Sequence, residues 1–145
     1  MTKTVLVLLL AFGSFVSVYG QTTIRKQSSG GDKLYYQDNN YLREQWSGGS
    51  KLYYFDGECI REKWSGGKVL YCIDGDDIRE GWSGGSVIYH FDGEYIRKQW
   101  SGGNKLYCVN GNYVRKKSCG GEKLFYFDGK IELWVLICVL AEIEN

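Results

Sequence analysis

The sequence predicts an all-β fold, an antiparallel meander of repeated β-hairpins in an open or curled sheet. Three observations predict it. First, Arg25, Arg43, Arg61, Arg79, Arg97 and Arg115 recur at a strict step of eighteen residues. Second, Gly pairs follow in phase, as in Gly48-Gly49 and Gly66-Gly67, and each unit carries a second reversal such as Asp56-Gly57 or Asn110-Gly111. Third, the stretches between reversals are rich in Tyr, Phe, Ile and Trp, which fit a pleated surface, and the chain contains no Pro. A fixed period marks a repeat architecture, so the fold is read from the unit.

The elements follow in chain order. Lys3, the apolar run Val5 to Phe12 and the small Gly20 fit a secretory signal over residues 1–20. That run is far shorter than the roughly 20 apolar residues a membrane helix needs, so no transmembrane segment is expected. Residues 21–129 hold six hairpin units, in all about eleven strands. Asp-Gly dipeptides suit two-residue type I′ turns, and Ser-Gly-Gly makes the other reversal. This pairing sets Tyr53 against Ile60 and Arg61 against Cys72. One face then carries Phe55, Tyr53, Ile60, Trp64, Lys51 and Glu62, and it is the expected core face. Leu52, Arg61, Tyr54 and Cys59 lie on the other. Two further topologies are open to the same units. A closed barrel removes the sheet edges, and a parallel β-solenoid stacks the Arg residues into a like-charge ladder.

The stretch Tyr53-Tyr54-Phe55-Asp56-Gly57-Glu58-Cys59-Ile60-Arg61 resembles the YD repeats of Rhs-type toxin shells and teneurins. The combination of Trp, Gly, paired Tyr and a turn is also similar to the choline- and glucan-binding repeats of bacterial surface proteins. The resemblance implies repeated hairpins in an extracellular scaffold. In the second family, binding sites use aromatics of neighbouring hairpins, an arrangement that Trp64, Tyr71 and Trp82 would loosely imitate.

Composition and spacing also narrow the chemistry. Eighteen Lys and Arg face seventeen Asp and Glu, a net charge of +1, which argues against an electrostatic nucleic-acid partner. One His, His90, leaves no basis for a multi-His metal site, and no catalytic cluster, metal or cofactor is expected. Cys72, His90 and Cys108 share one slot of the repeat but lie too far apart in a meander to hold one ion. The Arg column reads as a solvated row stacked on Tyr, and the Asp-Gly slots as turns. The candidate ligand-binding residues are Trp46, Trp64, Trp82 and Trp100, with Tyr53, Tyr71, Tyr89 and Tyr107. Packing of the indoles in the core or over the Gly-rich turns outweighs the stacking platform on sequence grounds. Five Cys leave an odd one in an oxidising compartment. Cys59 and Cys72, on one face in diagonal positions, are the candidate disulfide.

After Gly129 the period breaks. Residues 130–145 form a divergent apolar segment, read as a closing strand, a cap helix or a partner-binding patch, with the cap favoured. The functional expectation is a secreted, non-enzymatic repeat protein that binds an extracellular surface or glycan through its repeated aromatics. The alternative is an assembly protein whose aromatics form the core and whose sheet edge or residues 131–141 contact further copies.

Overall fold

The structure, a computed structural model, describes residues 21–144. The signal-peptide reading of residues 1–20 lies outside them. Twelve strands precede one helix. They are β1 (Thr22–Lys26), β2 (Lys33–Asp38), β3 (Tyr41–Glu44), β4 (Lys51–Phe55), β5 (Cys59–Glu62) and β6 (Val69–Asp74). Then come β7 (Asp77–Glu80), β8 (Val87–Phe91), β9 (Tyr95–Lys98), β10 (Lys105–Asn110), β11 (Tyr113–Lys116) and β12 (Lys123–Asp128). The helix is α1 (Leu133–Glu144).

Every strand pairs antiparallel with its neighbour in sequence, as the repeat predicts, and of the three topologies the chain takes the closed barrel. β1 pairs with β12, Ile24 opposite Phe127, so the first and sixth hairpins are neighbours and none of the described strands keeps a free edge. This removes the sheet-edge route to oligomers. A barrel of eight strands is filled by its own side chains, and wider ones enclose a lumen. Here α1 occupies it. Trp134, Val135, Leu136, Ile137, Cys138, Val139 and Leu140 are all buried, and a helix apolar on every side is stable only when surrounded. The patch reading of residues 131–141 is thereby corrected: the segment is the core of the barrel, not a contact surface.

One residue per hairpin faces this helix at the middle level. Ile24, Leu42, Ile60, Ile78, Ile96 and Val114, eighteen residues apart, are each 0 % exposed and join the helix in one core. A second level comprises Phe55, Ile73, Phe91, Val109 and Phe127, and Phe55 stacks on Trp134 with centroids 5.3 Å apart. The slot's sixth member is Gln37, also 0 % exposed, and neither amide atom has a hydrogen-bond partner. Burying an amide without a partner costs free energy that an apolar residue of similar shape does not. Gln37→Leu is therefore expected to stabilise the fold by about 1–2 kcal/mol, read as a rise in the urea midpoint.

Two local predictions shift. Tyr53 pairs with Glu62, Tyr54 with Arg61 and Phe55 with Ile60, two residues from the expected register. A two-residue slip preserves the faces, so Tyr53, Phe55 and Ile60 point inward as expected. Only three turns, after Asp38, Asp74 and Asn110, have two central residues, and positive φ occurs at the first alone, at Asn39, Gly75 and Gly111. A type I′ turn needs it at both. On the other side of each hairpin, a register shift between Ile60 and Arg61 places Arg61 opposite Val69 and Cys59 directly opposite Cys72. The two cysteines form a disulfide with Cα atoms 4.0 Å apart, opposed rather than diagonal. The same irregularity lets Leu52 pack against the core while Lys51 lies over Tyr41 on the outer face, reversing both assignments.

Candidate functional site

The loops at one end of the barrel are built by a recurring chain of contacts. In the third hairpin, Lys63 has φ 62° and the Trp64 N–H donates to the Glu62 carbonyl at 2.8 Å, a tight three-residue turn. Gly67 N–H then donates to the Trp64 carbonyl at 2.9 Å, closing a second turn. Gly67 packs so tightly on the Glu62 carbonyl that no side chain fits between them. Arg61 ties the loop to the strand, with Nη1 donating to the Gly67 carbonyl at 3.1 Å. Its Nε donates to Asp56 at 3.0 Å, and Asp56 also accepts from the Glu58 and Cys59 N–H groups. Arg43 and Arg97 reach Gly49, Asp38, Gly103 and Asp92 in the same way. Burial works against ionisation of Asp92, but the Tyr95 N–H and the Arg97 guanidinium hold its carboxyl down at about 2. Arg43, Arg61, Arg79 and Arg97 thus brace both reversals of a hairpin, whereas Arg25 and Arg115 reach the glycine loop alone.

The Trp residues stand on these loops. The Trp64 ring lies against Gly66, where a Cβ would come within 2.5 Å of the ring edge, and Trp46, Trp82 and Trp100 sit likewise on Gly48, Gly84 and Gly102. The four indoles are 60–65 % exposed. The core reading is overturned for them because each ring packs its six-membered end on a glycine turn and leaves most of its surface to solvent; the turn-covering reading holds. In the first and sixth hairpins Ser28 and Ser118 take the slot, and nothing covers Gly30 or Gly120.

Tyr53, Tyr71, Tyr89 and Tyr107 are elsewhere. They face inward at the loop end of the barrel and pack around the C-terminal turn of α1. Tyr53 donates to Glu142 at 2.5 Å, while Tyr89 and Tyr107 donate to Glu144 at 2.6 and 3.2 Å. The eight sequence candidates therefore split into an exposed Trp group on the loops and an inner Tyr ring that latches the helix. Burial first, then the facing glutamates, raises the hydroxyl pKa of Tyr53 and Tyr89 well above 10 and pushes Tyr107 up to about 12. A raised folded-state pKa favours the neutral phenol, so this stability is present in full below pH 10 and is lost as pH rises toward 12. Alkaline unfolding beginning above pH 10, with the buried Tyr absorbance changing in the same transition, is the expected result.

On the outer face, one slot pair recurs across neighbouring strands. Tyr41 packs on Tyr54 and Tyr113 on Tyr126, with ring centroids 5.0 and 5.2 Å apart. Lys51, Lys105 and Lys123 lie over Tyr41, Tyr95 and Tyr113 at 4.0–4.5 Å, a cation–π arrangement. Two further members of the slot are Cys59–Cys72 and the pair His90 Nδ1–Asp77 Oδ1 at 2.8 Å. His90 thus partners Asp77 on the neighbouring strand. A second disulfide, Cys108–Cys119, joins this slot to the sixth loop. Only one clue pointed to it: Cys119 occupies the loop position that Ser holds in the other units. Glu94 lies beside both sulfurs, but the disulfide occupies them and leaves a single carboxylate as a potential metal ligand. Cys138 is the odd cysteine, buried in α1, where burial pushes its thiol pKa up.

No curated protein and no solved structure matches this chain. Residues 24–139 match the family model described as 6-fold beta flower protein, which agrees with six hairpins closed around one helix, and the chain belongs to that family.

Proposed function

We propose that this is a secreted, non-enzymatic binding protein that engages a glycan or glycan-bearing extracellular surface through Trp46, Trp64, Trp82 and Trp100. The single observation that carries the reading is the set of four large indoles, more than half exposed, each held in place by a glycine turn. Holding the ring in advance reduces the entropy lost on binding, and a flat apolar face suits the C–H face of a sugar ring. Ser47, Ser65, Ser83 and Ser101 follow the indoles and offer hydroxyls beside them. Secretion is supported by the signal-like residues 1–20 and by two disulfides, which persist in oxidising compartments. The likeness of the hairpins to choline- and glucan-binding repeats adds weight to an aromatic surface as the contact.

The test is retention on insoluble polysaccharides of native protein beside Trp64→Ala and Trp82→Ala. Both variants remove exposed rings and leave the core intact, so weaker retention reports binding rather than unfolding. Equal retention of all three proteins, or none on any polysaccharide, rejects the reading.

A further inference from the structure

We propose that two copies of this chain associate face to face through the loop ends of their barrels, about a two-fold axis. The residue after each brace arginine carries the argument. Glu44, Glu62, Glu80, Lys98 and Lys116 lie directly opposite Tyr35, Tyr53, Tyr71, Tyr89 and Tyr107, and Lys26 lies opposite Phe125. Opposed residues share a face of the sheet, so these six form the inner rim of the barrel mouth. All six are exposed, and none takes part in the ion pairs found among the described residues.

Their order round the ring is not mixed. The second, third and fourth hairpins carry Glu44, Glu62 and Glu80. The fifth and sixth carry Lys98 and Lys116, and closure of β1 on β12 brings Lys26 of the first beside them. The mouth is therefore half acidic and half basic, although the basic half joins opposite ends of the sequence. A two-fold axis lying in the plane of the mouth and running between the two halves sets the sixth hairpin on the third, the fifth on the fourth and the first on the second. Lys116 then faces Glu62, Lys98 faces Glu80 and Lys26 faces Glu44 of the second copy. Symmetry repeats each contact, as an isologous interface requires, and all six positions find an opposite charge.

The centre of the mouth offers one apolar contact, Ile143. Ile143 is 46 % exposed at the end of α1, and clefts of about 280 to 450 Å³ separate that end from the loops. Two features oppose the contact. The pairing brings Lys63 opposite Lys117 of the second copy, and Glu142 and Glu144 lie near the middle. The Tyr hydroxyl bonds to those two glutamates reduce the second penalty. Exposed ion pairs are individually weak and screened by salt, so the assembly is reversible and salt-sensitive, and because the four indoles stand on the same loop end, a bound glycan and the second copy compete for it.

The test is light scattering with size-exclusion chromatography, at low and high salt. Native protein should run at twice its chain mass at low salt and at the chain mass at high salt. The triple variant Lys26→Glu/Lys98→Glu/Lys116→Glu, and separately Glu44→Lys/Glu62→Lys/Glu80→Lys, should each be monomeric, with native far-UV circular dichroism. Mixing the two should restore the dimer as a heteropair. Exchanging one facing pair within a chain, Glu62→Lys with Lys116→Glu, should leave the dimer in place and separates charge pattern from damage to the fold. A monomer at low salt, a dimer that survives in both triple variants, or a failure of the mixed variants to pair overturns the proposal.

Discussion

Deletion of residues 133–145 is expected to abolish cooperative folding. The deleted segment contributes eight consecutive buried residues from Trp134 to Ala141, packed in one core with the Ile24, Leu42, Ile60, Ile78, Ile96 and Val114 ring. Burial of each large apolar side chain contributes roughly 1.5–3 kcal/mol. Their sum is on the order of 10 kcal/mol, comparable to the entire 5–15 kcal/mol margin of a typical domain. The six-hairpin sheet would be left with an apolar lumen open to water. Circular dichroism and urea titration should show no cooperative transition for the truncated chain. Leu136→Ala, which leaves a cavity in place of the whole helix, should cost about 2–5 kcal/mol and keep the transition sharp. A truncated protein that melts like the native one would mean the helix is an accessory to a self-sufficient barrel.

The second large effect falls on a glycine. In Gly67→Ala the new methyl group would overlap the Glu62 carbonyl, which is backbone and cannot swing away. Relief requires opening the turn at Lys63 and weakening the Arg61 to Gly67 brace. The expected loss is about 3 kcal/mol or more, at the upper end of single substitutions. Gly30→Ala supplies the contrast, because nothing lies within 4 Å of its Cβ position. It should shift stability by no more than about 0.5 kcal/mol. Thermal melts of the two variants side by side check both values.

Much of this architecture was legible in the sequence because its causes are local. The eighteen-residue step, the hairpins and the inward placement of Ile60, Tyr53 and Phe55 follow from turn residues and alternation. Closure is different: it depends on how much twist twelve strands accumulate, which no single unit records. The helix was ambiguous because nine apolar residues from Leu133 to Ala141 have the same pattern in a buried strand as in a buried helix. The equivalent register irregularity between Leu42 and Arg43 explains why Lys51 and Leu52 exchanged faces. At the candidate site, the step of eighteen grouped the Trp and Tyr columns correctly as columns. It could not reveal that a three-residue turn lifts Trp64 off the strand before its alternation would bury it. Nor could it place Lys26 beside Lys116, since that neighbourhood exists only once the ring closes.

The most direct measurement is iodide quenching of Trp fluorescence, with and without a retained polysaccharide. The four loop indoles should be open to iodide, while Trp134, 2 % exposed, should be shielded. Saturating polysaccharide should protect the open class and leave the shielded emission unchanged. Indoles fully accessible in the complex, or fully shielded without it, would contradict the account of a pre-formed aromatic binding surface.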